Sequence, residues 1–246
     1  MRLNGKRVVI IGGSSGIGLE TARLALAEGA LATIAGRSED RLRQAAQGLS
    51  TPAGHDASNR LRTVVADIAE ESSIRSLFDG ETRVDHIFVS AGELKSGTAD
   101  LVRSDLESLR SILDVRLLGV ARVVRHARPK MNDGGSITLM SGLYSTRPRA
   151  GGAMASAAIA GVEGMTRALA LDLAPIRVNA VVPGLIETPL WDSFGPHREA
   201  ILANCAKLPV GRVGQPQEVA EAVIFLMCNG FVTGTALRID GGGSLV

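Results

Sequence analysis

The chain has 246 residues, of which 45% are hydrophobic and 21% charged, and its formal net charge at pH 7 is +2. This length and composition are typical of a globular protein with a sizeable core. The small net charge gives no strong attraction to nucleic acid or to a membrane surface, and no apolar run reaches the roughly 18 residues that a membrane span requires. The N-terminus lacks a signal-peptide pattern, so we expect a cytoplasmic protein.

Short β-branched runs alternate with longer helical patterns along the chain. Because strand, helix and strand repeat in this way, the sequence predicts an α/β fold with a parallel sheet covered on both faces, in a single domain over residues 1–246. The predicted strands are 7–11, 31–35, 61–66, 84–90, 135–140, 176–182 and 236–239, and the predicted helices are 16–28, 39–49, 70–79, 101–128, 151–173 and 216–229.

Two segments interrupt this alternation. Residues 50–60 are polar and predict a loop, while residues 186–212 contain prolines and the single tryptophan. We interpret 186–212 as a lid insertion over the carboxyl ends of the strands, where ligands bind in open α/β sheets. Trp191 and Phe194 either cover a substrate as a hydrophobic lid or simply pack beneath the long loop.

The cysteines and histidines give no sign of a metal or redox site. Cys205 and Cys228 have no nearby cysteine or histidine in a ligand spacing, and we expect both to be buried, unreactive thiols. The four histidines are scattered along the chain, so the sequence predicts no metal site.

The stretch GGSSGIG at residues 12–18 follows the first predicted strand and opens the first predicted helix. Its glycines allow a tight turn and a close approach of the backbone to a pyrophosphate, and the helix N-terminus offers free N–H groups to the anion. Between a strand and a helix, such a turn predicts a dinucleotide-binding loop. The predicted contacts are Gly12, Ser14, Ser15, Gly16, Ile17 and Gly18.

The ends of the next strands complete the predicted cofactor pocket. The second strand ends with Arg37 and Ser38 instead of a carboxylate, which favours NADP(H) over NAD(H) because arginine pairs with a 2′-phosphate. An exposed surface arginine is the alternative. Asp67, followed by Ile68, is placed to face the adenine. Small residues at the end of the fourth strand leave room for the adenosine ribose: Ser90, Ala91 and Gly92.

Together with RVNAVVPGLIETP at 177–189 and the glycine-rich tail that ends in RIDGG, these segments resemble the short-chain dehydrogenase/reductase family of Rossmann-fold oxidoreductases. The resemblance covers nearly the whole chain. It implies a seven-stranded sheet in the order 3-2-1-4-5-6-7 and a homo-oligomer, tetramer or dimer, joined through the helices near 101–128 and 151–173. It also implies contacts with the nicotinamide from Pro183, Gly184, Ile186 and Thr188.

The positions that carry the family's chemistry differ in this chain. The family uses an asparagine, a serine and a YxxxK motif, in which the tyrosine protonates the substrate and the lysine lowers its pKa and holds the nicotinamide ribose. The resemblance of VEGMTRALA at 162–170 fixes the alignment. It places Ala155 and Ile159 at the tyrosine and lysine, Gly142 at the serine and Arg116 at the asparagine.

Two residues are candidates for a replacement catalytic role. Tyr144 is the single tyrosine of the chain, and no lysine follows it at the YxxxK spacing. It is either a replacement acid or part of the substrate wall. Arg116 either fills the vacated space and contacts ribose, Tyr144 or a substrate anion, or points to solvent or a partner. Ser141 and Ser145 are further hydroxyl donors of the same loop.

Three functions therefore stay open. The first is an NADP(H)-dependent oxidoreductase with an altered acid, acting on a small molecule with an activated carbonyl, imine or enone, because reduction of such an acceptor needs no strong acid. The second is a catalytically inactive, cofactor-binding homologue with a regulatory or structural role. The third is a non-redox enzyme, such as a cyclase or dehydratase, that reuses the pocket.

Overall fold

A computed structural model describes residues 1–49, 59–92, 101–190, 205 and 207–246 of the chain. They form a Rossmann fold, in which one parallel sheet has the strand order β3-β2-β1-β4-β5-β6-β7, as the family resemblance implies. The strands are β1 Arg7–Ile11, β2 Leu31–Gly36, β3 Leu61–Val65, β4 Val84–Val89, β5 Met131–Met140, β6 Arg177–Pro183 and β7 Ala236–Ile239. The helices are α1 Gly16–Ala27, α2 Glu39–Leu49, α3 Glu71–Asp79, α4 Leu106–Leu113, α5 Gly119–Ala127, α6 Ala153–Asp172 and α7 Pro216–Cys228.

Two clusters of buried apolar side chains hold the helices to the sheet. Successive residues of a strand face opposite sides, so Ile10 and Ile11 of β1 belong to different clusters. The cluster around Ile10 includes residues of α1, α2 and α7, and the cluster around Ile11 includes residues of α3, α5 and α6. Every residue of β4 and β6 is buried, as expected for central strands of a parallel sheet with both faces covered.

Strand β5 is longer than the sequence predicts. It begins at Met131 instead of residue 135, because Met131 is buried and pairs with Val84 of β4 before the pairing shifts at His86. The polar residues that follow Met131 hide this extension from a search for alternating apolar residues.

The long helix predicted before β5 is interrupted. Helix α4 begins at Leu106, where the Asp105 carboxylate caps it by accepting the N–H of Ser108 at 2.8 Å. A five-residue π-helical turn, Asp114–Leu118, then separates α4 from α5. Such a turn accommodates an extra residue in the helix and is frequent at functional sites. Arg116 lies within it.

Most of the predicted loop at 50–60 and of the predicted lid at 186–212, including Trp191 and Phe194, lies outside the described residues. No helix among the described residues is long and apolar enough to cross a membrane. In the same part of the chain, no group of His, Cys, Asp and Glu side chains is arranged to hold a metal ion.

The two thiols differ in burial. Cys205 is buried as predicted, whereas Cys228 is only partly buried because it is the last residue of α7. Burial nevertheless raises the pKa of both thiols, so each is less reactive than an exposed cysteine.

Candidate functional site

The turn between β1 and α1 is packed too closely for side chains at its glycines. Gly12 has a φ of +90°, and a Cβ atom added to it would lie 2.7 Å from the backbone nitrogen of Ala91. A Cβ atom on Gly18 would overlap the carbonyl oxygen of Gly12. The loop therefore presents bare backbone at the start of α1, which is the cradle that a dinucleotide pyrophosphate requires.

The N-terminus of α1 has free N–H groups that can bind an anion. Ser15 precedes the helix in an extended conformation, and its side chain caps no N–H group in the described part of the chain. The first N–H groups of the helix, from residues 16–18, have no intrahelical partner. A Cβ atom on Gly16, whose φ is +53°, would lie 3.3 Å from Thr188 Cγ2. The fold thus brings Thr188 to the predicted phosphate loop.

The carboxyl end of β2 borders the same loop. A Cβ atom added to Gly36 would lie 3.3 Å from Ser14 Oγ, so the loop rests on this glycine. Arg37 follows it and is exposed to solvent. The carbonyl of Ser38 accepts the N–H of Leu42 at 3.1 Å and so helps to begin α2.

The segment after β3, Asp67 and Ile68, is held by local hydrogen bonds and by packing against α5. The Asp67 carboxylate accepts the N–H of Ala69 at 2.9 Å, and the N–H of Asp67 donates to Ser73 Oγ at 3.0 Å. Ile68 is buried against α5, because a Cβ atom on Gly119 would lie 2.8 Å from Ile68 Cγ1. The Ile68 side chain therefore belongs to the core, and the adenine contact expected of Asp67 stays a prediction.

The carboxyl end of β4 is fixed beside the glycine turn. The N–H groups of Ser90 and Ala91 both donate to the carbonyl of Ile11, at 2.8 and 3.0 Å. Gly92 follows directly. These bonds join the SAG segment to the end of β1, so two segments that the sequence assigns to one pocket are adjacent.

Arg116 lies across Gly92. Its Nη2 donates to the Gly92 carbonyl at 2.8 Å, and only 7% of the residue is exposed. The alternative that this arginine points to solvent is therefore wrong. Burial lowers the pKa of its guanidinium to about 10, so the side chain is still charged at neutral pH. Its Nε and Nη1 are buried, and no acceptor among the described residues receives a hydrogen bond from them.

The positions aligned with the family's serine, tyrosine and lysine form an apolar wall. Ala155 and Ile159 on α6 are 1% and 3% exposed. A Cβ atom on Gly142, which follows β5 by two residues, would lie 3.8 Å from Ile159 Cδ1, an ordinary packing distance. Gly142 therefore packs against α6 at Ile159, which lies one helical turn after Ala155.

Tyr144 reaches the first turn of the same helix. It sits in a 3₁₀ turn, Leu143–Ser145, and a Cβ atom on Gly152 would lie 3.4 Å from its Cε2. Gly152 immediately precedes α6 and is three residues before Ala155. Within the described part of the chain no hydrogen bond joins Tyr144 to Arg116, so the structure does not pair the two candidate catalytic residues.

The two serines of this loop are engaged locally. Ser141 Oγ donates to Glu163 Oε1 at 2.9 Å, and Ser145 Oγ donates to the carbonyl of Gly142 at 3.0 Å. Ser141 is also buried, so its hydroxyl proton is directed into α6 instead of towards a substrate. The sequence did not identify Glu163 as a site residue, although it lies one helical turn after Ile159.

The C-terminal tail packs against the carboxyl end of β6. The N–H of Gly184, just after β6, donates to Ile239 at 2.9 Å, and a Cβ atom on Gly184 would lie 2.7 Å from Asp240 Cα. Arg147 reaches over from the loop after β5 and donates to the Gly243 carbonyl at 2.8 Å. The tail thus packs between two segments predicted to contact the nicotinamide or the substrate, with Pro183 and Ile186 buried beside it.

Comparison with known proteins decides the family. The sequence profile of enoyl-(acyl carrier protein) reductases matches residues 12–244. The short-chain dehydrogenase/reductase malC of Malbranchea aurantiaca is 32% identical over 98% of this chain and 95% of its own length. The chain belongs to the short-chain dehydrogenase/reductase family. A cis-4-hydroxycyclohexanecarboxylate dehydrogenase of Sinomonas cyclohexanicum is 36% identical over 97% of this chain and 96% of its own.

Solved structures agree with this assignment. A structure described as the MalC reductase/Diels-Alderase from Malbranchea aurantiaca has a TM-score of 0.93 at 32% identity and covers 100% of this chain and 98% of that one. A small-chain dehydrogenase in complex with NADPH has a TM-score of 0.79 at 28% identity and covers 99% and 100%. Members of this family bind nicotinamide cofactors, and the glycine turn described above fits such a group.

Proposed function

We propose that the protein is an NADP(H)-dependent oxidoreductase that acts on an activated carbonyl, imine or enone. One contrast within the cleft carries the proposal. The turn at residues 12–18 retains the close packing that a dinucleotide requires, whereas Gly142, Ala155 and Ile159 form an apolar wall where the family resemblance puts the proton donor.

Different residues of the proposed site bind different parts of the coenzyme. The N–H groups at the start of α1 bind the pyrophosphate, and Arg37 pairs with the 2′-phosphate, which no carboxylate at the end of β2 repels. The bound nicotinamide supplies a hydride. The other proposed contacts follow the family resemblance: Asp67, the backbone of Ile68, and Ser90 to Gly92 on the adenosine side, and Pro183, Gly184, Ile186 and Thr188 on the nicotinamide side.

The apolar wall restricts the substrate. A positioned general acid contributes about 10²–10⁴-fold to proton-transfer catalysis, and an unactivated ketone depends on it. Quinones and enones form a stabilised anion when they accept hydride, and an imine that is protonated to an iminium ion gives a neutral amine, so all three tolerate a weaker or slower proton donor. Tyr144 is our candidate for that donor, because its ring lies against the residue that precedes α6.

Binding and turnover assays test the proposal. Fluorescence titration is expected to show tighter binding of NADPH than of NADH. NADPH oxidation is expected with menadione, 2-methyl-1-pyrroline or cyclohexenone and not with cyclohexanone, and Tyr144→Phe is expected to lower kcat with the accepted substrate. Cyclohexanone turnover at ordinary enzyme rates, about 1–10³ s⁻¹, contradicts the proposal.

A second function has specific support. The solved structure with a TM-score of 0.93 is described as both a reductase and a Diels-Alderase. An apolar wall holds a non-polar substrate without needing a proton donor, so a non-redox cyclisation is the second candidate. Product formation without NADPH consumption identifies it. Tight NADPH binding without conversion of any substrate would instead indicate the remaining hypothesis, an inactive cofactor-binding homologue.

A further inference from the structure

We propose that Arg116 forms an anion-binding site on the α4–α5 side of the cleft and selects a substrate that carries a carboxylate or a comparable oxyanion. This inference deepens the proposed function and rests on it, because the anion binds beside the proposed coenzyme site. No part of the family's usual machinery supplies this group, since the aligned family residue is an uncharged asparagine.

The hydrogen bonds of Arg116 leave most of its donors unused. A guanidinium carries five N–H groups, one on Nε and two on each terminal nitrogen. The Gly92 carbonyl accepts one of them from Nη2. The three on Nε and Nη1 are buried and donate to no acceptor among the described residues. Buried charged donors are normally satisfied, so these three N–H groups indicate a missing acceptor.

The charge of Arg116 is also unbalanced. In the described part of the chain no carboxylate forms an ion pair with it, whereas Arg122, six residues later, pairs with Asp114 at 2.7 Å. On the facing helix α6, Glu163 accepts the hydroxyl of Ser141 and makes no hydrogen bond to Arg116. Because burial lowers the pKa of Arg116 only to about 10, a full positive charge persists at pH 7.

The guanidinium lies at the edge of the sheet where we propose that the coenzyme binds. It lies over Gly92 at the carboxyl end of β4, and the preceding residue, Ala91, packs against Gly12 of the phosphate loop. Ligands of open α/β sheets bind at this edge of the strands. An anion held by Nε or Nη1 therefore lies next to the coenzyme, where a substrate has to bind.

A purely structural role does not account for the arrangement. Supporting the Gly92 carbonyl requires one N–H group, which glutamine or lysine also provides. Carboxylate and phosphate oxygens are the acceptors that an arginine side chain binds most strongly. The group that binds to Arg116 is either an oxyanion of the substrate or a phosphate oxygen of the coenzyme. The experiment below distinguishes the two.

Calorimetry on the NADP⁺-saturated protein tests the site with benzoate and formate as probes and with benzamide and formamide as their uncharged counterparts. The wild type is expected to bind at least one carboxylate at least tenfold more tightly than its amide. Arg116→Gln and Arg116→Met are expected to lose this preference, with less than a threefold change in NADPH affinity. Arg116→Lys is expected to retain part of it. Arg110→Gln, which changes an exposed arginine of α4, is the matched control and is expected to bind as the wild type does.

The outcomes separate the possible errors. Equal binding of carboxylates and amides by the wild type, or unchanged carboxylate binding by Arg116→Gln, overturns the proposal. A loss confined to NADPH affinity assigns the anion to the coenzyme and overturns substrate selection by Arg116. Melting temperatures show whether each variant is folded. Because Arg116 is a buried cation without a partner carboxylate among the described residues, we expect Arg116→Met to melt at the same temperature as the wild type or higher. If the wild type binds no nucleotide, the proposed function fails, while carboxylate binding to the free protein still tests Arg116.

Discussion

A Cβ atom at Gly92 would lie 2.6 Å from Nε and 2.8 Å from Nη1 of Arg116, so the two residues fit together only because residue 92 has no side chain. The backbone of Gly92 lies against the guanidinium, and its carbonyl oxygen accepts the one hydrogen bond that Arg116 makes within the described residues. The space left at Gly92, after β4, is therefore filled by the Arg116 side chain from the π-helical turn.

The first prediction concerns this pair. Gly92→Ala should lower the free energy of unfolding by about 1–3 kcal/mol, because the new methyl group displaces a buried side chain. Arg116→Ala should relieve the overlap, so the two substitutions should be non-additive by at least about 0.5 kcal/mol in a double-mutant cycle from urea unfolding. Gly48→Ala, in open space on α2, is the control and should stabilise by about 0.5–1 kcal/mol. Strict additivity would contradict the fitted pair.

The second prediction restores the family's catalytic residues. The combined variant Gly142→Ser, Ala155→Tyr and Ile159→Lys should reduce cyclohexanone with NADPH about 10²–10⁴-fold faster than the wild type. A serine is readily placed at Gly142, because its φ of 174° is ordinary extended backbone and a Cβ atom there makes only normal contacts. Initial rates and NADPH affinity should be measured together. A variant that binds NADPH as the wild type does and still fails to reduce the ketone would show that the wall is misassigned.

The third prediction concerns the choice of coenzyme. Arg37→Ala should weaken NADPH binding by about 10–100-fold, the range expected for one or two lost charge-assisted hydrogen bonds, and leave NADH binding nearly unchanged. Arg43→Ala is a suitable control, since this arginine of α2 is already paired with Asp40 at 3.1 Å. Equal losses for both coenzymes would argue against a 2′-phosphate contact by Arg37.

The fourth prediction concerns stability at low pH. His86 is buried in β4, with its Nδ1 2.9 Å from Ser136 Oγ. Burial lowers the pKa of His86 to about 4, with Arg177 and Lys6 adding to the shift and Asp85 opposing it. The unfolded chain binds this proton near pH 6.5, so stability is lost as the pH falls from 6.5 to 4, by up to about 3 kcal/mol.

Replacing this histidine should remove part of that pH dependence. Urea unfolding at pH 7.5 and 4.5 should show a smaller loss of stability for His86→Gln than for the wild type. Ser136→Ala keeps the histidine and should retain the wild-type slope. Parallel losses in the wild type and in His86→Gln would mean that other groups determine the acid sensitivity.

The fifth prediction concerns assembly. Leu118 and Leu171 are 54% and 82% exposed on the two helical regions through which we expect a homo-oligomer. Leu171→Glu should lower the mass measured by light scattering, because it places a charge in the proposed interface. Val65→Glu changes an exposed residue of the edge strand β3 and should leave the mass unchanged. A monomeric wild type would contradict the expected oligomer.

The sequence predicts most of this fold because its elements have clear hydrophobic periods and clear ends. The glycine turn after β1 is recognisable from its spacing, and the predicted bounds of α1 and α7 lie within one residue of those in the structure. The four-residue extension of β5 is missed because it depends on one tertiary pairing, between Met131 and Val84. No local pattern reports such a contact.

The candidate site is predicted less completely. The sequence identifies the altered positions, Arg116 and Ile159 among them, but it leaves open whether the arginine faces solvent. Its burial depends on the π-helical turn, and the apolar periodicity of the helix continues through that turn without a break. The hydrogen bond between Ser141 and Glu163 is missed for a similar reason, since it joins a strand end to a helix 22 residues away.

The position of the Arg116 side chain depends on the number of residues in the π-helical turn Asp114–Leu118. Each residue of a regular helix turns the next side chain by about 100° around the axis, so deleting one residue before Arg116 would swing the guanidinium away from Gly92. Every chemical group of the cleft would still be present in such a deletion variant. Its capacity to recognise a ligand would depend on spacing as much as on composition, and single-residue insertions or deletions in this helix are consequently a means of changing specificity without replacing any side chain.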